Sequence, residues 1–115
     1  MLPHRIRGPK AKRENAPPKV QRRSPAHCDF VRDHACVVCG SFDKIEVAHV
    51  RDGTDCGMGM KPADRWTISL CRPHHSEQHR IGEGPFEQLH GIDMKALAAE
   101  FVKASPKRVL LEQMP

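Results

Sequence analysis

The sequence predicts a small α+β domain in which two short strands lead into a helix, and three observations predict it. Lys44–Val50 alternates apolar and polar residues, as a half-buried strand does. Arg65–Leu70 repeats that pattern after a long irregular stretch. Pro73 then opens a helical run to about Arg80, with the proline at a first turn, where its missing N–H costs nothing.

The remaining elements follow in chain order. Residues 1–25 hold five prolines and almost no apolar periodicity, and are expected to form a disordered or polyproline-like tail. Ser24 and Pro25 are suited to cap and open a short helix running to about Arg32. Cys36-Val-Val-Cys39-Gly40 reads as a tight turn carrying two thiols. Residues 51–63 contain three glycines and a proline and read as a long loop, a feature that in compact domains is usually functional. Gly82 and Gly84 end the central helix, and a short helix Pro85–His90 is capped by Gly91. Asp93 caps a last helix over 94–104, with Met94, Leu97, Ala98 and Phe101 on one face. Ser105-Pro106 stops it, and 106–115 is expected to be a flexible end. The folded domain is therefore expected at 26–105.

Composition narrows the class. The chain has 115 residues, 38% apolar and 4% aromatic, which is lean for one self-sufficient core. Domains this small often use a metal or disulfide staple, and five cysteines with eight histidines supply the means. No apolar run has the length of a secretory h-region or a membrane span. The expectation is a cytoplasmic protein with no membrane partner, monomeric in the first instance, whose cysteines bind metal rather than pair as disulfides. The charge is uneven. Residues 1–25 carry eight Lys/Arg and one acid, whereas the other ninety carry 11 basic and 13 acidic side chains. A basic tail suits a polyanion partner through counterion release, and is otherwise a solvated leader.

Two Cys/His pairs stand out. Cys36-x2-Cys39 and Cys71-x2-His74 have spacings that let both side chains of a pair converge on one tetrahedral ion, and thiolate with imidazole suits zinc. Joined across the intervening 31 residues, they would staple the hairpin to the helix, the plan of treble-clef zinc fingers. The bland alternative is four unrelated small core residues. His75 and His79 lie four apart on the same predicted helix and so share a face. His74 points about 100° away from His75. His74 can therefore complete the zinc set while His75 and His79 grip a second cation, beside His49 at the end of the first strand. The alternative for this pair is a solvated polar face.

Taken together, Cys36-x2-Cys39, Ala48-His49-Val50-Arg51, Gly57-Met-Gly-Met-Lys61-Pro62, Asp64-Arg-Trp-Thr-Ile-Ser-Leu-Cys71 and His74-His75-x3-His79 resemble the HNH (ββα-metal) endonuclease superfamily. The resemblance covers about 26–105 and is to the small phage and prophage type, which includes the Ref recombination nuclease and YbcO-like groups. It implies metal-dependent hydrolysis of DNA phosphodiesters. His49 takes the place of the general base, and His75 and His79 those of the helix ligands to a catalytic Mg2+, Mn2+, Zn2+ or Ni2+. Cys36, Cys39, Cys71 and His74 take the place of a structural zinc set. Asp64 lies near the family's central Asn/Asp/His position, where it would orient His49 or add a metal ligand, and is counted with His49 and His75 as catalytic. Many relatives carry Asp or His just before the base; this chain has Ala48.

Arg51, Lys61, Arg65, Arg72 and Arg80 surround these motifs in sequence and are candidate phosphate contacts. Each is also an ordinary surface charge, since most Lys and Arg are exposed. Trp66, Phe30, Phe86 and Phe101 read as core rather than base-stacking residues. Cys28 and Cys56 are left without a ligand role. An inactive zinc-finger module that binds nucleic acid is the alternative to an endonuclease, and a protein using zinc only as a staple is a third reading. The His49, His75, His79 trio separates the enzyme from both, because a zinc staple does not need it.

Overall fold

A computed structural model describes residues 21–54 and 61–115. The tail at 1–20, Cys56 and the middle of the 51–63 loop lie outside the described residues. The elements are α1 (Pro25–Arg32), β1 (Ile45–His49), β2 (Thr67–Cys71), α2 (Arg72–Ile81), α3 (Glu83–His90), α4 (Met94–Ala104) and α5 (Arg108–Glu112). The described chain is thus small and α+β, with a two-stranded sheet and helices. Among the described residues, no helix is long and apolar enough to cross a membrane.

The hairpin is antiparallel, and its register pairs Ile45 with Cys71 and His49 with Thr67. The Cys/His motif and His49 therefore lie at opposite ends of the ribbon. β2 is buried at all five residues, which is why its polar side chains need internal partners. Thr67 Oγ1 donates to the Asp64 carbonyl at 2.8 Å and Ser69 Oγ to the Ala35 carbonyl at 2.7 Å. The strand begins at Thr67, not at Arg65 as the alternation suggests.

The capping signals work as chemistry requires. The Ser24 hydroxyl accepts from the His27 amide at 3.3 Å, and the Asp93 carboxylate from the Ala96 amide at 3.1 Å. Gly91 ends α3 in the left-handed region at φ 62°, which favours glycine. Gly82 separates α2 from α3 at φ 90°. Gly84 is not a break but sits in the first turn of α3, which starts two residues earlier than Pro85 suggests.

Ala48, Ile68, Leu70, Phe86, Met94 and Ala98 form the main core between the hairpin and the helices. Phe86 is fully buried, whereas Phe30 and Phe101 are half-buried and pack edge-on against His34. A second cluster joins Ala63, Val102, Leu111 and Met114, and Trp66 packs against both.

Both proposed termini of the domain need correction. The segment 106–115 is not a frayed end: it carries α5, whose Leu111 is fully buried. Burial of Leu111 and Met114 overrides the weak local helix signal. At the other end, Arg22–Ser24 belong to the fold. The Asp64 amide donates to the Arg22 carbonyl at 2.8 Å, and the Ser24 amide donates to Asp64 Oδ2 at 2.8 Å.

Candidate metal centre and histidine cleft

Cys36 and Cys39 sit on the turn before β1, Cys71 ends β2, and His74 lies in the first turn of α2. Their ligand atoms all fall within 4.8 Å of one another. Cys39 Sγ lies 3.8 Å from Cys71 Sγ, and His74 Nδ1 lies 3.1 Å from Cys71 Sγ and 3.7 Å from Cys36 Sγ. A tetrahedral ion with Zn–S of about 2.3 Å and Zn–N of about 2.0–2.1 Å spaces neighbouring sulfurs about 3.8 Å apart, and S and N about 3.5 Å apart. This Cys3His group can hold a metal such as zinc.

The electrostatics agree with the chemistry of the donors. Burial raises the Cys36 thiol, but the amides of Cys71, Cys39 and Val38 outweigh that and bring it to about 6. Cys71 is pushed up to about 11, by burial first and then, against the pull of the His74 amide, by the neighbouring sulfurs. One anion is stabilised locally and its neighbour resists becoming a second. A divalent cation reverses that resistance.

Beside this group, His90 Nε2 donates to Glu77 Oε1, and the His74 and His90 rings meet edge-to-face at 5.2 Å. Hydrogen bonding to His90 is the main reason the Glu77 carboxyl lies below its usual range.

At the far end of the hairpin a cleft of about 630 Å³ gathers His49, Arg51, Lys61, His75 and His79. The His75 and His79 Nε2 atoms are 3.1 Å apart. That is hydrogen-bond distance, and also the spacing at which two imidazoles ligate one cation at about 2.1 Å. His75 Nδ1 donates to Glu46 Oε1 at 3.0 Å, which directs the Nε2 lone pair at His79. The carboxylate–histidine pairing is a common way of orienting a metal ligand. Hydrogen bonds from His75 and then Arg72 hold Glu46 below the ordinary carboxylate range, against its slight desolvation.

His49 Nε2 donates to Asp64 Oδ1 at 2.9 Å. Asp64 is 4% exposed, and burial alone would raise its pKa. Hydrogen bonds from His49, the Ser24 amide and Arg23 outweigh burial and hold it well below the usual range. Between orienting His49 and ligating a metal, the geometry serves the first. Cys28 also faces Asp64; burial first and then that carboxylate push its thiol up to about 11, so it stays protonated at neutral pH.

Residues 11–106 match the family model described as a protein of unknown function, DUF968. The chain belongs to the DUF968 family. No curated protein and no solved structure matches it.

In this DUF968 chain the five candidate phosphate contacts divide. Arg51 and Lys61 line the histidine cleft, and Arg72 reaches Glu46 at its edge with Nε 3.4 Å from Oε2. Arg65 turns away: its Nη1 donates to the Met114 carbonyl at 3.0 Å and its guanidinium lies over Trp66. The expectation for Arg65 is corrected, since packing of α5 captures the side chain. Arg80 is also outside the cleft, on the exposed side of α2 beside Glu77. Ala48 is fully buried in the core, so its side chain contributes packing.

Four residues contribute to the DUF968 site through contacts that carry no local sequence signal. They are Glu46 behind His75, Arg23 and Ser24 on Asp64, and Glu83, whose carboxylate accepts from the Arg51 and Asp52 amides at 2.6 and 2.7 Å. Burial raises the Glu83 pKa against those two amides. The alternating pattern marks Glu46 only as an exposed strand residue, and the others are joined to their partners across 31 to 41 positions.

Proposed function

We propose that this DUF968 protein is a metal-dependent endonuclease of the HNH type that hydrolyses phosphodiester bonds in DNA. The observation that carries the reading is one cleft in which His49, held by Asp64, stands with the His75/His79 pair. In this reading β1, β2 and α2 are the ββα-metal unit. Cys36, Cys39, Cys71 and His74 bind a structural zinc in a treble-clef arrangement. A phage or prophage origin rests on the resemblance of the motifs.

The chemistry follows from the side chains. With its Nε2–H committed to Asp64, His49 presents Nδ1 as the acceptor, and Nδ1 takes the proton of a water attacking phosphorus. Asp64 fixes that tautomer and stabilises the imidazolium that results. His75 and His79 are the residues that would hold a divalent cation, with Glu46 fixing the His75 ring. Such a cation supplies Lewis-acid stabilisation of the charge on the phosphoryl and leaving oxygens. Arg51 and Lys61 add positive charge along the same cleft.

A second reading draws on Ala48. With that position in the core, two histidines stand where many relatives have three ligands. This favours a module that binds nucleic acid without cutting it.

Incubating purified protein and its His49→Ala variant with supercoiled plasmid, under Mg2+, Mn2+, Zn2+, Ni2+ or EDTA, separates the two. Metal-dependent nicking that the variant loses is the expected result. Salt-sensitive DNA binding with no cleavage under any metal would favour the inactive module.

A further inference from the structure

A second groove of about 620 Å³, walled by α1, also borders β1. Arg23, Arg32 and Lys61 line it, and its floor includes Ile45, Val47 and Cys28. Val47, His49 and Lys61 border both hollows. His49 is thus accessible from both.

We propose that this α1-side groove is a docking site for the phosphodiester backbone of the DNA strand, flanking the position at which His49 acts. The proposal rests on the nuclease reading for the identity of its ligand.

Three features support it. First, Arg23 is fixed before any ligand arrives. Its Nη1 donates to the Pro62 carbonyl at 2.6 Å and to Asp64 Oδ1 at 3.1 Å, and its Nη2 to the Lys61 carbonyl at 3.2 Å. A guanidinium held this way keeps its orientation at little further entropic cost, and 43% of the side chain stays exposed. The same contacts hold the Lys61 backbone at the groove.

Second, the groove's acids are already engaged. Asp64 accepts from His49, Arg23 and Ser24, and Glu46 from His75 and Arg72. Arg32 pairs with Asp29 on the open surface, where such pairs are weak and readily exchanged for a phosphate.

Third, Arg23 of the groove follows a basic stretch of the sequence. The twenty residues before Gln21 carry six Lys/Arg and one acid, and the described chain borders the groove at Arg23. A strand lying in the groove would meet Arg23, Arg32 and Lys61, as sequence-independent backbone contact requires.

The test is fluorescence anisotropy with a labelled 30-base DNA, single-stranded and duplex, between 50 and 200 mM KCl. The full-length His49→Ala chain serves as the reference. Onto it are added Arg32→Gln with Lys61→Gln, or, as a control away from the groove, Arg80→Gln. Thermal melts confirm that each variant is folded. The double substitution is expected to weaken binding about tenfold or more at low salt. It should also flatten the slope of log K against log salt by about two, near one for each phosphate that Arg32 and Lys61 would neutralise. The control should keep the reference slope. An unchanged slope in the double variant, or no DNA binding by the reference chain, overturns the proposal. Plasmid nicking by the His49-containing chain, run in parallel, reports on the nuclease reading separately. Nicking with an unchanged slope sinks only the groove, and a flattened slope without nicking sinks only the enzyme.

Discussion

His49 Nε2 donates to Asp64 Oδ1 across 2.9 Å, and the same oxygen accepts from Arg23 Nη1 at 3.1 Å. Asp64 therefore ties the end of β1 to the segment that precedes α1. Asp64→Asn keeps the side chain's size but removes the charge and presents a donor to at least one of three donors. Loss of the correct imidazole tautomer is expected to lower plasmid nicking by about 10²- to 10⁴-fold, the range over which a positioned base contributes. The stability loss should be about 1–3 kcal/mol, since buried donors lose an acceptor. A variant that nicks at the parent rate would remove Asp64 from the mechanism.

The same carboxylate predicts the acid limb of stability. Its folded-state pKa lies below its unfolded value, so its contribution is fully present above the unfolded value, about 3.9, and is lost as pH falls toward the folded one. Urea midpoints measured from pH 6 down to pH 2 should fall, and Asp64→Asn should flatten the part of that fall lying below about pH 4. Parallel curves for the two proteins would mean that other carboxylates set the acid limb.

Metal removal tests the Cys3His group directly. The purified chain is expected to hold one zinc that survives brief EDTA treatment in the native state. Cys36→Ser or Cys71→Ser should abolish cooperative unfolding, because structural zinc contributes about 10–16 kcal/mol of apparent binding energy to small zinc-finger folds. Zinc content by plasma mass spectrometry and melts by circular dichroism are the measurements. A zinc-free chain with an undiminished melt would leave the four residues as ordinary core and turn side chains.

The parts of this site that were legible in the sequence are those set by local geometry. Two-residue spacings announced Cys36/Cys39 and Cys71/His74, and four-residue spacing announced His75/His79, because a turn or a helix fixes such distances without help from the rest of the fold. Ser24, Asp93 and Gly91 were legible as caps for the same reason. Glu46 behind His75, the Arg22–Ser24 clasp on Asp64 and Glu83 beneath the Arg51 and Asp52 amides join residues far apart in the chain. No periodicity encodes those pairings. Arg65 shows the converse error: beside a predicted strand it resembled a phosphate contact, yet the Met114 carbonyl and the Trp66 ring claim it.

The C-terminal helix is short and uncapped, so its stability comes from burial rather than propensity. Leu111 is fully buried against Ala63, Val102 and Met114. Leu111→Ala is expected to cost about 2–5 kcal/mol and to lower the melting temperature by roughly 10 °C or more. The exposed neighbour Val109, 72% accessible, should tolerate alanine with little change. Equal effects at the two positions would show that α5 does not pack as described.

Glu46 offers the sharpest test of how the histidine pair is organised. It is not one of the two proposed ligands, but its hydrogen bond fixes which nitrogen of His75 faces His79. Glu46→Ala should therefore raise the divalent-metal concentration for half-maximal nicking by about 10- to 100-fold, the usual effect of losing a carboxylate behind a ligating histidine. Saturating metal should restore most of the rate, because His49 and Asp64 are untouched. His75→Ala removes the ligand itself, and no metal concentration should rescue it. An unshifted midpoint in Glu46→Ala would mean that the His75 ring is held by α2 alone. A midpoint shift that saturating metal cannot repair would instead place Glu46 nearer the reacting phosphate than its contacts with His75 and Arg72 indicate.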